Sequence, residues 1–284
     1  MRAPIRPIAG LALLSLTFGP SAALAQPGIT ATEIKVGNTN PYSGPLSAYG
    51  TVGKVIGAYF KKVSDEGGIN GRKITYISYD DQYSPPKTLE MTRKLVEQDQ
   101  VTLVLQPFGT PTNSATAPKF ASQAIRKAYD LGWRPVQILS SVSASVQSVL
   151  KPAGVEAAKD ILSAQYLKDV TDPQGKNEPG FKGWAEFMGK YHPGGSIEDA
   201  FNAYGYTVAQ TLVHVLKQCG NDLSRANMMK QAASINGLAL PMLLPGIRIN
   251  TGPNDFFQVE QMQLGRFDGE HWVFFRDLFD ASRK

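Results

Sequence analysis

The sequence predicts an α/β protein in which parallel sheets are flanked by helices. Short apolar strand patterns alternate with amphipathic helical patterns between residues 33 and 105, in the order β-α-β-α-β. The third strand pattern, residues 101–105, is almost wholly apolar, as expected for a strand covered on both faces. The first strand pattern, residues 34–37, leads into a turn rich in Gly, Pro and Ser at residues 38–50. In α/β domains small ligands bind at such turns, although an ordinary strand–helix connection is an equal alternative here.

The elements of the first part follow from local signals. Apolar residues at helical spacing predict a helix over residues 48–65, and Gly67-Gly68 ends it. Alternation predicts a second strand over residues 74–79. Ser84 followed by Pro85 predicts the next helix start, with a side-chain cap and then a proline at the first turn.

The second part contains more helix. The patterns predict helices at 118–131, 181–191 and 197–219, and a further helix that Ser224 caps and that ends near residue 235. Strands are predicted at 136–139 and 161–167, with a Ser- and Val-rich loop at 140–148 as a second ligand-side loop. The tail, 247–275, is typical of strands broken by turns, which either add antiparallel strands or tie two lobes together.

The first 25 residues have the pattern of an export signal. Arg2 and Arg6 precede a short apolar run at 8–18, and Ala23-Leu24-Ala25 forms a cleavage site. We therefore expect a periplasmic protein with no membrane span after the signal is removed; a mitochondrial transit peptide fits less well. The formal charge of +5 is spread along the chain, which argues against nucleic acid as a partner. The single cysteine, Cys219, lies on an apolar helical face, which favours a buried thiol.

The sequence offers little catalytic chemistry. His192, His214 and His271 lack metal-ligand spacing with Cys, Asp or Glu, and no nucleophile elbow or phosphate-binding glycine motif is present. Asp80-Asp81 ends a predicted strand and could bind a metal or act as a base, but a solvated or structural role is favoured. We therefore expect no catalytic residue, no metal, no cofactor and no enzymatic activity.

One loop has the composition of a ligand-binding loop. Residues 106–115 follow the third strand and contain Gly109 and Thr110 among several small hydroxyl residues. Glycine permits close backbone approach and the hydroxyls donate, so this loop is suited to hold a carboxylate. A plain polar loop is the alternative.

Three motifs together resemble those of branched-chain amino acid-type periplasmic binding proteins, the substrate-binding subunits of ABC importers. They are Tyr42-Ser43-Gly44-Pro45-Leu46-Ser47-Ala48-Tyr49-Gly50, Glu66-Gly67-Gly68-Ile69-Asn70-Gly71-Arg72-Lys73 and Tyr79-Asp80-Asp81. Residues 120–284 resemble the same family. The resemblance implies the type I fold, in which two α/β lobes enclose a ligand and do no chemistry. It divides the chain into a first-lobe fragment at 26–115 and a second-lobe fragment at 116–284.

The resemblance also implies a set of site residues. In the first lobe these are Ser43 and Tyr49, which flank the ligand, and Gly109 and Thr110, which donate to its carboxylate. In the second lobe they are Ser141 and Ser143. The implied partners are a small amino acid, amide or carboxylate ligand and the permease subunits of an ABC transporter.

The sequence departs from the family pattern in two places. Residues 115–118 join first-lobe sequence directly to sequence typical of the second lobe, which indicates an internal deletion of about one small domain. The fold would then be incomplete and ligand binding impaired. Val142 stands near the position where amino acid-binding members carry a glutamate for the ligand's ammonium, which argues against an α-amino acid. The alternatives to an importer subunit are a ligand-sensing receptor or regulator domain and a non-binding remnant.

Overall fold

The computed structural model describes residues 27–105, 117–132, 134 and 136–281. The export signal predicted for residues 1–25 therefore lies outside the described residues. Two sheets and the helices around them make up the described part of the chain. Within these ranges, no helix has both the length and the apolar character needed to cross a membrane.

The first sheet confirms the predicted parallel β-α-β-α-β unit. Strand β1 lies in its centre and pairs in parallel with β2 on one side and β3 on the other. The third strand is shorter than the predicted 101–105, because only two residues pair regularly with β1. The elements are β1 (Glu33–Asn40), α1 (Gly50–Asp65), β2 (Lys73–Asp80), α2 (Pro85–Arg93) and β3 (Leu103–Val104).

Helix α1 shows how the sequence specifies this unit. Its apolar positions recur at helical spacing, and Val52, Ile56 and Phe60 are fully buried. Gly68 closes the helix by donating its N–H to the carbonyl of Val63 at 2.8 Å, with a φ of 73°. A Cβ at this position would lie 2.0 Å from the carbonyl oxygen of Arg72, so only glycine fits.

The second sheet has the order β4-β5-β6-β7. Strands β4 and β5 are parallel, whereas β6 is antiparallel to both of its neighbours, β5 and β7. The tail therefore adds antiparallel strands, one of the two arrangements expected for it. The strands are β4 (Ile138–Leu139), β5 (Leu162–Gln165), β6 (Gln261–Phe267) and β7 (Trp272–Asp280).

The four longest of the remaining helices agree in position with the predicted ones, and their ends differ by a few residues. Helix α7 begins after Asp199 rather than at 197, because the Asp199 side chain accepts a hydrogen bond from the N–H of Phe201 and caps the helix. The helices are α3 (Ala117–Asp130), α4 (Lys151–Ala153), α5 (Val155–Ala158), α6 (Pro179–Tyr191), α7 (Ala200–Gln218) and α8 (Arg225–Ala232). Short 3₁₀ turns at Ser47–Tyr49, Ser141–Ser143 and Gly175–Asn177 and π-turns at Lys94–Gln98 and Val146–Leu150 complete the described structure.

The two predicted halves share a hydrophobic core. Helix α7 packs directly on α1, and a Cβ at Gly205 would lie 2.3 Å from Val55 Cγ1, so the two helices meet at van der Waals contact. Residues of the first sheet and of 201–249 belong to one buried cluster, while a second cluster lies under the second sheet. The division into fragments at 26–115 and 116–284 stays a prediction; core contacts cross it.

Candidate functional site

A cavity of about 240 Å³ lies at the carboxyl ends of the parallel strands β4 and β5. The loop after β4, the chain that continues from β5 and the start of α7 form most of its wall, and Tyr49, which follows β1 of the first sheet, joins them. The wall consists of Tyr49, Ser141, Val142, Ala144, Ser145, Val146, residues 165–171, Glu198, Ala200, Phe201, Tyr204, Trp272 and Phe274.

Tyr49 is held rigidly at this wall. It ends the 3₁₀ turn Ser47–Tyr49, is 2% exposed, and its ring centroid lies 4.7 Å from that of Phe201. Burial raises the pKa of the Tyr49 phenol, so its hydroxyl stays neutral. The residue presents an apolar ring with one polar atom, which suits a site for a small, largely apolar molecule.

The loop after β4 places one of its predicted serines in the wall. Ser141 lines the cavity, whereas Ser143 is buried outside the lining. The loop is fixed because Trp272 Nε1 donates to the Ala144 carbonyl at 2.9 Å. Ser145 Oγ accepts from the N–H of Ser148 at 3.1 Å and so caps the following π-turn.

The chain that follows β5 supplies both aromatic and charged groups. Asp169 Oδ2 accepts from the Trp272 N–H at 2.7 Å, and its Oδ1 accepts from the N–H and hydroxyl of Thr171 at 2.8 and 2.7 Å. Lys168 Nζ lies 2.5 Å from Glu178 Oε2. The bond from Trp272 holds the segment against the second sheet, and the pairing of Lys168 with Glu178 ties it to the start of α6. The charges of Asp169 and Lys168 are thus both used within the protein.

At the start of α7, Glu198 Oε2 lies 3.6 Å from Lys151 Nζ, and its Oε1 lies 3.7 Å from Lys176 Nζ. The neighbouring Asp199 is partly buried. Burial raises its pKa, against the opposing effect of hydrogen bonds from the N–H of Phe201 and from the hydroxyls of Ser148 and Ser145.

Ser43, the first predicted site residue, is hydrogen-bonded to Asp80 at the end of β2. Its Oγ donates to Asp80 Oδ2 at 2.5 Å, and the N–H groups of Tyr42 and Ser43 donate to Asp80 Oδ1 at 2.9 and 3.3 Å. Burial would raise the pKa of Asp80, but these bonds and one from the Gln82 N–H lower it. Asp81 caps the next turn by accepting from the Tyr83 N–H. Both carboxylates have structural partners.

The structure thus brings two of the six predicted site residues to one cavity, Tyr49 and Ser141. Ser43 and Ser143 are outside the lining, and Gly109 and Thr110 lie outside the described residues. In the described part of the chain, His, Cys, Asp and Glu side chains form no group that could hold a metal ion. Cys219 is buried, and burial raises the pKa of its thiol.

Sequence reasoning missed most of the wall. Gln165 and Tyr166 were placed inside the predicted strand 161–167, and Phe201 and Tyr204 inside the predicted helix 197–219. Gln165 and Tyr166 could have been found from their position in the chain, because residues at the carboxyl end of a parallel strand lie on the ligand side of a sheet.

Comparison with known proteins finds relatives of part of the chain. Residues 33–125 match the family model described as periplasmic binding protein. The leucine-specific-binding protein of Salmonella typhimurium is 23% identical over 162 residues, which are 56% of this chain and 42% of that protein. The match therefore spans about two fifths of the relative's length.

Solved structures share the fold at low sequence identity. A branched-chain amino acid ABC transporter protein from Thermus thermophilus with bound valine superposes with a TM-score of 0.72 at 13% identity, over 89% of this chain and 98% of that one. A fatty acid ABC transporter substrate-binding protein from Thermomonospora curvata gives 0.64 at 16% identity, over 91% and 96%. These relatives are solute-binding proteins rather than enzymes. The chain has the type I periplasmic-binding-protein fold, and its predicted resemblance to branched-chain amino acid-type binding proteins is confirmed.

Proposed function

We propose that the chain is the extracytoplasmic solute-binding subunit of an ABC importer. It captures a small amino acid, amide or organic acid and leaves it chemically unchanged. The observation that supports this function best is the cavity itself, which elements of both sheets line: Tyr49 beside the first, Ser141 and residues 165–171 beside the second. A solute that contacts both parts favours the arrangement in which they lie close together.

The relatives support a transport role but leave the solute open. Proteins of this fold are described with leucine, valine and fatty acids as their ligands. We expect the side chains of this cavity, rather than the fold, to decide which solute is bound. The permease subunits of the importer are the proposed protein partners, and the export signal predicted at residues 1–25 supports a periplasmic location.

Calorimetric titration of residues 26–284 with a panel of amino acids, amides and carboxylates tests this function. Saturable binding of one solute is the expected result. Val142→Trp should abolish that binding, because Val142 lines the cavity and is 47% exposed, so the larger side chain fills the cavity without disturbing the core. Val136→Trp is the matched control, since Val136 is 81% exposed and outside the lining.

The internal deletion predicted near residues 115–118 bears on affinity. If a block that carries ligand contacts is missing, binding is weaker than micromolar. A chain that melts cooperatively and binds nothing in the panel contradicts the solute-binding function. A broad, non-cooperative melt without binding supports the non-binding remnant. Tight binding contradicts the impaired-cavity hypothesis.

A further inference from the structure

Three charged residues line the cavity among the described residues, and each already has partners of its own. Asp169 accepts three hydrogen bonds, from the Trp272 N–H and from the N–H and hydroxyl of Thr171. Glu198 lies between two lysines, and Lys168 is paired with Glu178 at 2.5 Å. A charged group on a ligand would have to compete with these contacts or enter without a counter-charge, and an uncompensated buried charge is costly.

The wall also contains a donor that lacks an acceptor. Gln165 ends β5 at the cavity, and its Nε2 is buried with no hydrogen-bond partner among the described residues. An unpaired buried amide N–H costs free energy, and a ligand oxygen at hydrogen-bonding distance would recover it. The donor therefore favours a ligand that carries a carbonyl oxygen.

The rest of the wall is apolar and largely aromatic. Tyr49, Tyr166, Phe201, Tyr204, Trp272 and Phe274 contribute rings, and Val142 occupies the loop after β4. Burial raises the pKa of the Tyr166 phenol, so this ring stays neutral as well. Such a wall stabilises an apolar body by removing it from water, at roughly 25 cal/mol per Å² of apolar surface.

We propose that the cavity selects an uncharged solute with an apolar body and a carbonyl oxygen, of the carboxamide class, and that Gln165 donates to that oxygen. This inference rests on the proposed solute-binding function and narrows it. It predicts that a carboxamide binds more tightly than the carboxylate or the α-amino acid built on the same carbon skeleton.

Two matched ligand series test the selection by calorimetric titration. One consists of 4-methylpentanamide, 4-methylpentanoate and L-leucine, and the other of 3-phenylpropanamide, 3-phenylpropanoate and L-phenylalanine. In at least one series the amide should bind ten times or more tightly than both charged compounds. An amino acid or carboxylate that binds as tightly as its amide overturns the inference and leaves the solute-binding function intact. Failure of all six compounds also overturns the inference, and failure of every solute in the wider panel contradicts the function itself.

Substitution of the donor tests the role of Gln165 separately. Gln165→Leu should weaken amide binding by about tenfold and leave the melting temperature of the ligand-free protein unchanged or slightly higher, because a buried unpaired donor is removed. Gln263→Leu is the matched control: Gln263 pairs with Gln165 across the strands, donates to the Arg276 carbonyl and is outside the lining. Equal amide affinity in wild type and Gln165→Leu contradicts the assigned role.

Discussion

The loops that follow the parallel strands have similar polar sequences in the two sheets but different structures. Beside the first sheet, the Ser-Gly-Pro turn is closed upon Asp80, which accepts hydrogen bonds from Ser43 Oγ and from backbone N–H groups. Beside the second sheet, Ser141 and Gln165 line a cavity. A polar residue at the end of a strand is therefore available to a ligand only where the protein has not already supplied its partner.

The two ends also depend on different interactions. The cavity wall is fixed by Trp272, whose backbone N–H donates to Asp169 and whose buried indole Nε1 donates to the Ala144 carbonyl. The first turn is fixed by charge-assisted hydrogen bonds to a carboxylate that is partly exposed. Removal of the Trp272 side chain should therefore cost more stability than removal of the Ser43 hydroxyl.

The largest effect is expected at the cavity wall. Trp272 is 4% exposed, so Trp272→Ala should lower the free energy of unfolding by about 3–5 kcal/mol, since it removes a large side chain and leaves the Ala144 carbonyl without its donor. Urea denaturation followed by circular dichroism measures the change. Phe279→Ala is the control on the same strand; Phe279 is 68% exposed, and a loss there as large as that at Trp272 would contradict the contrast.

A smaller loss of stability is expected at the contact between α1 and α7. Gly205→Ala places a Cβ 2.3 Å from Val55 Cγ1 and 2.7 Å from the Val52 carbonyl oxygen, so the two helices must separate, at a cost of about 1–3 kcal/mol. In α6, Gly189 has open space around its Cβ position, and Gly189→Ala should raise stability by about 0.5–1 kcal/mol. Opposite signs for the two substitutions, measured by thermal melting, check the close packing of α1 on α7.

Ser43→Ala tests the closed turn, with an expected loss of about 1 kcal/mol. The variant should raise the pKa of Asp80 towards its ordinary value of 3.8, since a hydrogen bond to the carboxylate is lost. Because the folded-state pKa of Asp80 is lowered in the wild type, its stabilisation is present above the unfolded pKa and disappears as the pH falls through the folded one. The stability gap between wild type and variant should therefore shrink below about pH 4.

Carbon-13 NMR of the Asp80 carboxyl group measures its pKa. Urea denaturation at several pH values measures the difference in unfolding free energy between wild type and Ser43→Ala. A variant that keeps its stability and loses ligand affinity would instead place Ser43 at the ligand, as the family resemblance implies.

Most of the fold could be predicted from the sequence because its elements carry strong periodic signals. The order of elements in the first sheet was predicted correctly from apolar strand patterns. However, β1 continues to Asn40, inside the predicted turn at 38–50, and the predicted third strand is regular only at Leu103–Val104. The residues beside it still bond to β1, from the Thr102 N–H to the Lys35 carbonyl at 3.0 Å and from the Leu105 N–H to the Gly37 carbonyl at 2.8 Å. Strand ends depend on such tertiary pairing, which local sequence does not contain.

The site was less predictable for a physical reason. Phe201 and Tyr204 follow helical spacing, and periodicity identifies the buried face of a helix without showing whether that face meets core or cavity. Gln165 lay inside a predicted strand of seven residues, whereas β5 ends at Gln165 and the chain beyond it turns along the cavity. Because the predicted strand ended at 167 rather than at Gln165, Gln165 and the residues after it were not recognised as part of the site.

The smallest expected difference is between two helix caps, one in each part of the molecule. Both Ser84 and Ser224 precede a helix, but only Ser224 acts as a side-chain cap, with its Oγ accepting from the Asn227 N–H at 3.2 Å. The predicted Ser84 cap is wrong in this respect, since its side chain makes no capping bond within the described structure. Ser224→Ala should therefore cost about 1 kcal/mol, and Ser84→Ala less than about 0.5 kcal/mol, by thermal melting. Equal losses would mean that intrinsic preference for serine before a helix, rather than the hydrogen bond, stabilises both helix starts.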